Sequence, residues 1–219
     1  MIDNLQESLT LALSKLDEKF RKDPESLHFA ISIVFSSIFK KSGLSCIIVG
    51  GQSAAYWLRL PGSNDIDFVS PDLQKIANIL EQCGFTKSSD LSFRYVHPTT
   101  NIMIELVGEQ IAIADIKTPG SVLVEPSDID DALVRSLMPG PSEVLDPVLV
   151  FINYLDASSH DSIWFTFENE GALAVERAKA LLALYKEYII DGLRDRYKAG
   201  EISERFRDLL DKKFNIVLR

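Results

Sequence analysis

Apolar residues near the start of the chain recur every three or four positions, which predicts two amphipathic helices. The first stripe covers residues 5–20 and the second covers 27–38. Between them, Asp23 and Pro24 favour a new helix start, because aspartate accepts a backbone hydrogen bond at an N-cap and proline suits the first helical position. Residues 1–43 are therefore predicted to be helices that pack on the rest of the protein.

From residue 44 to residue 125 the pattern changes to short apolar runs and polar–apolar alternations, which are typical of strands. The predicted strands are 46–49, 65–69, and a hairpin of 93–96 and 102–107, with a further edge strand at 111–114. Helices are predicted between them, at 52–60 and from Pro71 to Gly84. This alternation of strands and helices predicts an α+β fold, with helices packed on a β-sheet.

After Pro126 the helical spacing returns, with apolar stripes in residues 148–155, 175–193 and 202–210. These stripes predict a small C-terminal helical bundle that packs on the sheet. The sequence thus predicts three regions: N-terminal helices at 1–43, an α/β core at 44–125 and a helical region at 126–219.

The composition is that of an ordinary globular protein. Of 219 residues, 46% are apolar and 25% are charged. Lys and Arg number 23 against 32 Asp and Glu, which gives a net charge of −9. This charge argues against a broad basic face that wraps nucleic acid, although a small anion can still bind locally.

The start of the chain and its cysteines favour a cytoplasmic protein. Residues 1–4 lack the basic and apolar segments of a signal peptide. The most apolar stretch, 27–39, contains polar residues and is too short to span a bilayer, so no membrane association is expected. Cys46 and Cys83 have no metal-ligand spacing and are expected to be reduced thiols in the core.

A pair of glycines, Gly50 and Gly51, follows the first predicted strand. At a strand-to-helix junction, glycines let backbone N–H groups approach a phosphate closely, and the helix N-terminus favours an anion. The same pair also fits an ordinary tight turn, so by itself it leaves both interpretations open.

Asp65 and Asp67 are two residues apart on a predicted strand, so both carboxylates point to one face. Two such charges about 4 Å apart repel by roughly 4 kcal/mol at an effective dielectric constant near 20, which calls for a positive partner. Mg²⁺ is a natural partner because it prefers carboxylate and phosphate oxygens. A solvated strand edge is the alternative interpretation of the pair.

Glu105 is the one charged residue in the apolar run 102–107. A carboxylate in such surroundings costs on the order of several kcal/mol unless it is paired or bound to a metal. If its strand lies beside that of Asp65 and Asp67, the three acids suit two-metal transfer to a phosphate. The prediction fails if the three side chains face apart, or if a basic group fills the space between them.

Together these motifs resemble the signature of the nucleotidyltransferase superfamily related to DNA polymerase beta. That signature is an apolar residue followed by Gly-Gly or Gly-Ser, then two acids separated by one apolar residue, then an acid between apolar residues. The matching segments are Val49-Gly50-Gly51, Asp65-Ile66-Asp67-Phe68 and Ile104-Glu105-Leu106. The resemblance covers about residues 44–107 and is greatest to small stand-alone prokaryotic members, some of which act as toxins or antitoxins.

The resemblance implies a nucleotidyltransferase-like mixed sheet and a role for each matching residue. The implied nucleotide-binding residues are Gly50, Gly51 and Ser53. The implied catalytic and metal-binding residues are Asp65, Asp67 and Glu105, which would hold two Mg²⁺ ions, with Mn²⁺ as a substitute. Glu105 would also help to deprotonate the acceptor hydroxyl.

Two functional hypotheses follow from the resemblance. In the first, the protein transfers a nucleoside monophosphate from a nucleoside triphosphate to an acceptor hydroxyl on a protein, an RNA end or a small molecule, and releases pyrophosphate. In the second, it is a non-catalytic module that acts through a protein partner, as an antitoxin or regulator. The second is motivated by Ser63 and Asn64, which stand before Asp65 where relatives often carry Arg or Lys and then Thr. The nucleotide base, the acceptor and the oligomeric state are left open.

Three other features invite a chemical interpretation. Arg59 and Arg94 have the planar fork that suits phosphate, and each is a candidate triphosphate contact. The string Asp128-Ile129-Asp130 repeats the earlier motif, but no glycine pair precedes it, and it predicts a helix start. His97 lies before a proline and is expected to have a loop or surface role.

Overall fold

A computed structural model describes residues 2–60, 62–89, 93–110, 120–158 and 168–218. Within these residues the helices are α1 (Ile2–Phe20), α2 (Pro24–Lys41), α3 (Gly50–Leu58), α4 (Leu73–Gln82), α5 (Ala132–Leu137), α6 (Pro147–Ala157), α7 (Glu168–Lys198) and α8 (Glu204–Phe214). The strands are β1 (Ile47–Ile48), β2 (Ile66–Val69), β3 (Thr86–Lys87), β4 (Arg94–Val96), β5 (Met103–Gly108), β6 (Ser121–Val124) and β7 (Ser142–Leu145).

The described strands form one mixed sheet in the order β3-β4-β5-β2-β1-β7-β6. The central strand β2 runs parallel to β5 and antiparallel to β1. β1 is also parallel to β7, whereas β4 pairs with β5, and β6 with β7, in the antiparallel sense. The mixed sheet and its helices confirm the predicted α+β class.

The chain divides into two compact units. The first consists of Met1–Gln110 and Ser121–Leu145 and contains all the strands described above. The second consists of Ile111–Gly120 and Asp146–Arg219 and contains α6, α7 and α8. The predicted boundaries after residues 43 and 125 stay predictions; this division by contacts places 126–145 with the sheet.

In the first unit, α2 covers one face of the sheet. Asp23 caps this helix, because its carboxylate accepts a hydrogen bond of 3.2 Å from the backbone N–H of Ser26. Phe39 on α2 packs edge to face against Phe35 and against Phe68 of β2, with ring centroids 6.2 and 6.4 Å apart. The face of β2 that carries Phe68 is therefore core, and the other face is left for polar side chains.

In the second unit, α6 and α7 pack closely. Asp146 caps α6 by accepting a hydrogen bond of 2.7 Å from Val148. A Cβ at Gly192 of α7 would lie 2.6 Å from Val148 Cγ2, so glycine is needed for this close approach. Further along, the rings of Phe151 and Phe214 stand 5.2 Å apart. The predicted C-terminal stripes form helices, and part of their apolar residues are buried.

The predicted hairpin is confirmed by β4 and β5, and its turn contains Asn101 in the left-handed region, at φ 55°. β7 lies where the sequence predicted helices, which corrects that part of the analysis. It has four residues and takes its place by pairing with the distant β1, and local periodicity does not reveal such a pairing.

The predicted edge strand at 111–114 lies outside the described residues. None of the described helices combines the length and apolarity that a membrane span requires.

Candidate active site

Asp67 and Glu105 face each other across two adjacent parallel strands. They are register partners in the pairing of β2 with β5. Side chains alternate along a strand, so the neighbours Ile66 and Ile104 point to the opposite face, where both are fully buried. The same alternation that builds the core therefore directs the two acids to the other face.

Asp65 comes immediately before β2 and shares the face of Asp67. One carboxylate oxygen from each of Asp65, Asp67 and Glu105 lies within 4.8 Å of the other two. The structure therefore brings together the three acids that the sequence singled out. Carboxylate oxygens are the ligands that Mg²⁺ and Mn²⁺ prefer, so this group is positioned to bind a divalent metal.

The two glycines make room for this cluster. Gly50 is the first residue of α3 and has a φ of +57°, in the region that favours glycine. A Cβ at Gly50 would lie 2.0 Å from Asp67 Oδ2, and a Cβ at Gly51 would lie 2.5 Å from Ser63 Oγ. Any other side chain would collide with the acidic cluster or with the loop before β2. The helix N-terminus, which favours negative charge, thus comes close to Asp67.

Ser53 is fully buried within the first turn of α3. Its hydroxyl donates a hydrogen bond of 2.8 Å to the carbonyl oxygen of Gly50, and its backbone N–H donates to Val49. In this conformation the hydroxyl closes the glycine turn. A direct contact between Ser53 and a phosphate stays a prediction.

Gln52, which the sequence analysis did not single out, connects α3 to the loop before β2. Its side chain is fully buried, and Nε2 donates hydrogen bonds of 2.8 Å to Ser63 O and 2.9 Å to Asp65 O. Ser63 Oγ reinforces this contact by donating to Asp65 O at 2.8 Å. Gln52 therefore fixes the backbone of Asp65. The signal in the sequence was a polar residue next to the glycine pair, together with the unusual Ser63.

Arg94 brings a positive charge to the cluster. It stands opposite Glu105 in the pairing of β4 with β5. Its Nε donates a hydrogen bond of 2.6 Å to Glu105 Oε1, and its Nη2 contacts the same oxygen. The sequence analysis expected divalent cations to balance the three carboxylates, and the three acids are positioned to bind a metal. The structure adds a guanidinium that balances one of them. Contact of Arg94 with a triphosphate stays a prediction.

The electrostatics of the cluster act most strongly on Asp67. Burial raises the pKa of Asp67 to about 8, and the neighbouring charges of Asp65 and Glu105 act in the same direction, whereas Arg94 lowers it. Without a bound cation, Asp67 therefore holds a proton through much of the neutral range. A cation that binds here must displace this proton.

The other features noted in the sequence have roles that differ from those of the three acids. Asp131 caps α5 by accepting hydrogen bonds from the backbone of Leu133 and Val134, which confirms the predicted helix start after the second Asp-Ile-Asp string. His97 Nδ1 lies 3.0 Å from Thr100 Oγ1 within the hairpin turn. Arg59 ends α3 with its side chain 86% exposed, and its role toward a triphosphate stays a prediction.

Comparison with protein-family models and with curated protein sequences gives no match. Among solved structures, the fold is similar to the crystal structure of an antigenic nucleotidyltransferase-like protein from Paracoccidioides brasiliensis. That likeness has a TM-score of 0.53 and 12% identity, and covers 89% of this chain and 95% of the other. A second likeness, to the solution structure of the antibiotic-resistance factor ANT(2'')-Ia, has a TM-score of 0.42 and 18% identity, and covers 80% of this chain and 95% of the other.

Proposed function

Because this protein has a nucleotidyltransferase-like fold, we propose that it transfers a nucleoside monophosphate from a nucleoside triphosphate to an acceptor hydroxyl in a Mg²⁺-dependent reaction. The observation that carries the proposal is the convergence of Asp65, Asp67 and Glu105 beside the glycine turn that begins α3. The fold by itself does not specify an activity. It is the chemistry of this site that favours phosphoryl transfer.

In this reaction the acceptor oxygen attacks the α-phosphorus of the triphosphate. A new P–O bond forms while the bond to the β-phosphate oxygen breaks, and pyrophosphate leaves. A bound divalent cation would neutralise phosphate charge and stabilise the attacking and leaving oxygens. Asp65 and Asp67 would hold it, and the carboxylate of Glu105 would receive the proton of the acceptor hydroxyl. Gly50, Gly51 and Ser53 form the turn whose backbone N–H groups bind phosphate.

The acceptor is a hydroxyl on a protein, an RNA end or a small molecule. The net charge of −9 disfavours an extended RNA surface and leaves a protein or a small molecule as the simpler partner. A cytoplasmic location stays a prediction of the sequence. The use of Mn²⁺ in place of Mg²⁺ also stays a prediction.

The test is nucleotide transfer from α-labelled triphosphates to each acceptor class, with the double substitution Asp65→Asn and Asp67→Asn. We expect this variant to lose transfer by a factor of about 10³ or more, because catalysis here rests on positioning and charge neutralisation. The matched control is Asp128→Asn with Asp130→Asn, which alters the second Asp-Ile-Asp string and should leave transfer unchanged. Equal transfer by both double variants would refute the proposal.

A second candidate function is a non-catalytic module that acts through a protein partner, as an antitoxin or regulator does. The observation that favours it is the ion pair between Arg94 and Glu105, which engages the third acid of the cluster. Calorimetry separates the two functions. Triphosphate binding that strengthens with Mg²⁺, and disappears when Asp65 and Asp67 are both replaced by Asn, supports the enzyme. Absence of metal-linked binding supports the module.

A further inference from the structure

We propose that Arg94 is a fixed positive charge that takes the place of one divalent cation, so that without nucleotide the site binds a single divalent ion, through Asp65 and Asp67. The inference rests on the proposed function and refines it, because the resemblance in sequence implies two ions held by all three acids.

The position of Arg94 is set by the sheet. It is the cross-strand partner of Glu105 in an antiparallel pair, where opposite residues lie about 5 Å apart. Within the part of the chain that the structure describes, its Nε and its Nη2 both contact Glu105 Oε1. The Arg94 side chain is 32% exposed and that of Glu105 is 11% exposed, so water screens this pair only in part. The guanidinium is thus part of the framework of the site.

The charges at the site are consistent with one divalent ion. Once a bound cation has displaced the proton of Asp67, three ionised carboxylates and one guanidinium leave two negative charges, which that single divalent cation balances. A second divalent cation would make the site net positive before any phosphate arrives. Since Coulomb energies are large at partly buried positions, that second ion is disfavoured.

Loss of the ion pair with Arg94 would be unfavourable for Glu105. It lies in β5 between Ile104 and Leu106, and removing one partner of a buried ion pair leaves a charge uncompensated. A metal that bound through Oε1 would have to displace two guanidinium contacts. Asp65 and Asp67 meet no such competitor among the contacts of the described residues, and they remain the ligands for the single ion.

The test is the number of Mn²⁺ ions bound per chain, measured by electron paramagnetic resonance and calorimetry without nucleotide. We expect one ion for the wild-type protein. For Arg94→Gln we expect two ions, the first bound on the order of tenfold more tightly, because a positive charge near the ion has been removed. The isoelectric double variant, Arg94→Gln with Glu105→Gln, should return to one ion with near wild-type affinity. The control Arg21→Gln breaks the ion pair between Arg21, just after α1, and Asp17 of α1, and should bind one ion.

Each outcome of the Mn²⁺-binding test either supports or overturns the inference about Arg94. Two ions in the wild-type protein, or one ion with unchanged affinity in Arg94→Gln, would overturn the inference while leaving the proposed transferase untouched. No Mn²⁺ bound by the wild-type protein overturns it as well. Another outcome, in which Arg94→Gln weakens triphosphate binding at saturating Mn²⁺ but not Mn²⁺ binding, also overturns it and assigns Arg94 to the phosphates. The expected stoichiometries without nucleotide transfer would support the inference and count against the transferase. If Arg94→Gln does not fold, the double variant still decides, because any change from one ion contradicts the inference.

Discussion

Gly50 is the residue at which the backbone comes closest to the acidic cluster. Two separate constraints require glycine there: the positive φ of +57°, and the 2.0 Å between a Cβ and Asp67 Oδ2. Sequence analysis left two explanations of this glycine open, the approach of a phosphate and an ordinary tight turn. The structure adds a further reason, the approach of the Asp67 carboxylate, which applies without any ligand.

We predict that Gly50→Ala destabilises the protein by more than the positive φ alone explains. The left-handed conformation costs a non-glycine residue about 1–2 kcal/mol, and the collision with Asp67 adds to it. Gly43→Ala is the matched control, because Gly43 has φ +81° with nothing within 4 Å of a Cβ. The free energy of unfolding of both variants, from urea titration, measures the difference. Equal losses of unfolding free energy in the two variants would show that the Asp67 side chain moves away from the new Cβ without an energetic cost.

We predict that Asp67→Asn stabilises the metal-free protein, and that the gain depends on pH. A carboxyl whose pKa rises from 3.8 in the unfolded chain to about 8 in the fold costs nothing while protonated. The loss of stability begins as the pH rises above the pKa of the unfolded chain, and it reaches its full size above the pKa of the folded protein. The gain should therefore be absent near pH 4 and exceed about 1 kcal/mol near pH 8, since one pKa unit corresponds to about 1.4 kcal/mol.

The measurement for Asp67 is urea unfolding in a chelator at about pH 4, 6 and 8. Asp130→Asn is the control, because that side chain is fully exposed and should give no pH-dependent gain. A gain for Asp67→Asn that is the same at every pH would contradict the shifted pKa. Saturating Mg²⁺ should reverse the order of stability, because only the wild-type site then binds the cation well.

At the scale of elements, the site depends on how α3 is tied to the loop before β2. Gln52 in the first turn of α3 holds the backbone of Ser63 and Asp65, so the helix and the strand position the acid together. Short strands such as β2 and short helices such as α3 have little stability of their own. Hydrogen bonds between such elements therefore matter for where a catalytic side chain stands.

We predict that Gln52→Met, which keeps the size but not the amide, lowers the affinity for Mg²⁺ as well as stability. The carbonyl oxygen of Ser63 loses its amide donor, and that of Asp65 keeps only the Ser63 hydroxyl, which costs about 1 kcal/mol or more. Gln74→Met is the control, because Gln74 bonds to Asn78 on an exposed helix face. Calorimetric Mg²⁺ titration and thermal unfolding measure both effects. A loss of stability with unchanged Mg²⁺ affinity would limit Gln52 to a structural role.

At the scale of the whole molecule, every described strand of the sheet lies within the first unit, Met1–Gln110 with Ser121–Leu145. β7 lies at the end of this unit and is the parallel neighbour of β1, the strand that leads into the glycine turn. A boundary before β7 would leave β1 with an unpaired edge. The end of β7 is thus the natural limit of the sheet unit.

We predict that a chain shortened to residues 1–145 folds cooperatively and that one shortened to 1–125 does not. The shorter chain lacks β7 and exposes the strand β1, whose Ile48 is fully buried in the full chain. Circular dichroism during urea unfolding measures the cooperativity of each. If both shortened chains unfold cooperatively, the result supports the boundary after residue 125 that the sequence predicts. If neither unfolds cooperatively, the first unit needs the second in order to fold.

The sequence by itself determined the α+β class, the two N-terminal helices, the strands and helices that carry the site, and the acids and glycines singled out there. Helix stripes, N-caps and the alternation that puts Asp65 and Asp67 on one face are properties of nearby residues, so they can be worked out without coordinates. The motif spacing led to the nucleotidyltransferase-like fold for the same reason, because each of its pieces is local.

Only the tertiary structure decided which distant residues meet. The register of β2 with β5 places Glu105 opposite Asp67, the register of β4 with β5 places Arg94 on Glu105, and burial directs Gln52 to the loop at Asp65. β7 enters the sheet in the same way, through a partner far away in the chain. Strand register and order are set by packing of the whole sheet, in which a shift of one residue would turn every side chain to the other face. That dependence on long-range contacts is why the counter-charge on Glu105 could not be derived from the sequence.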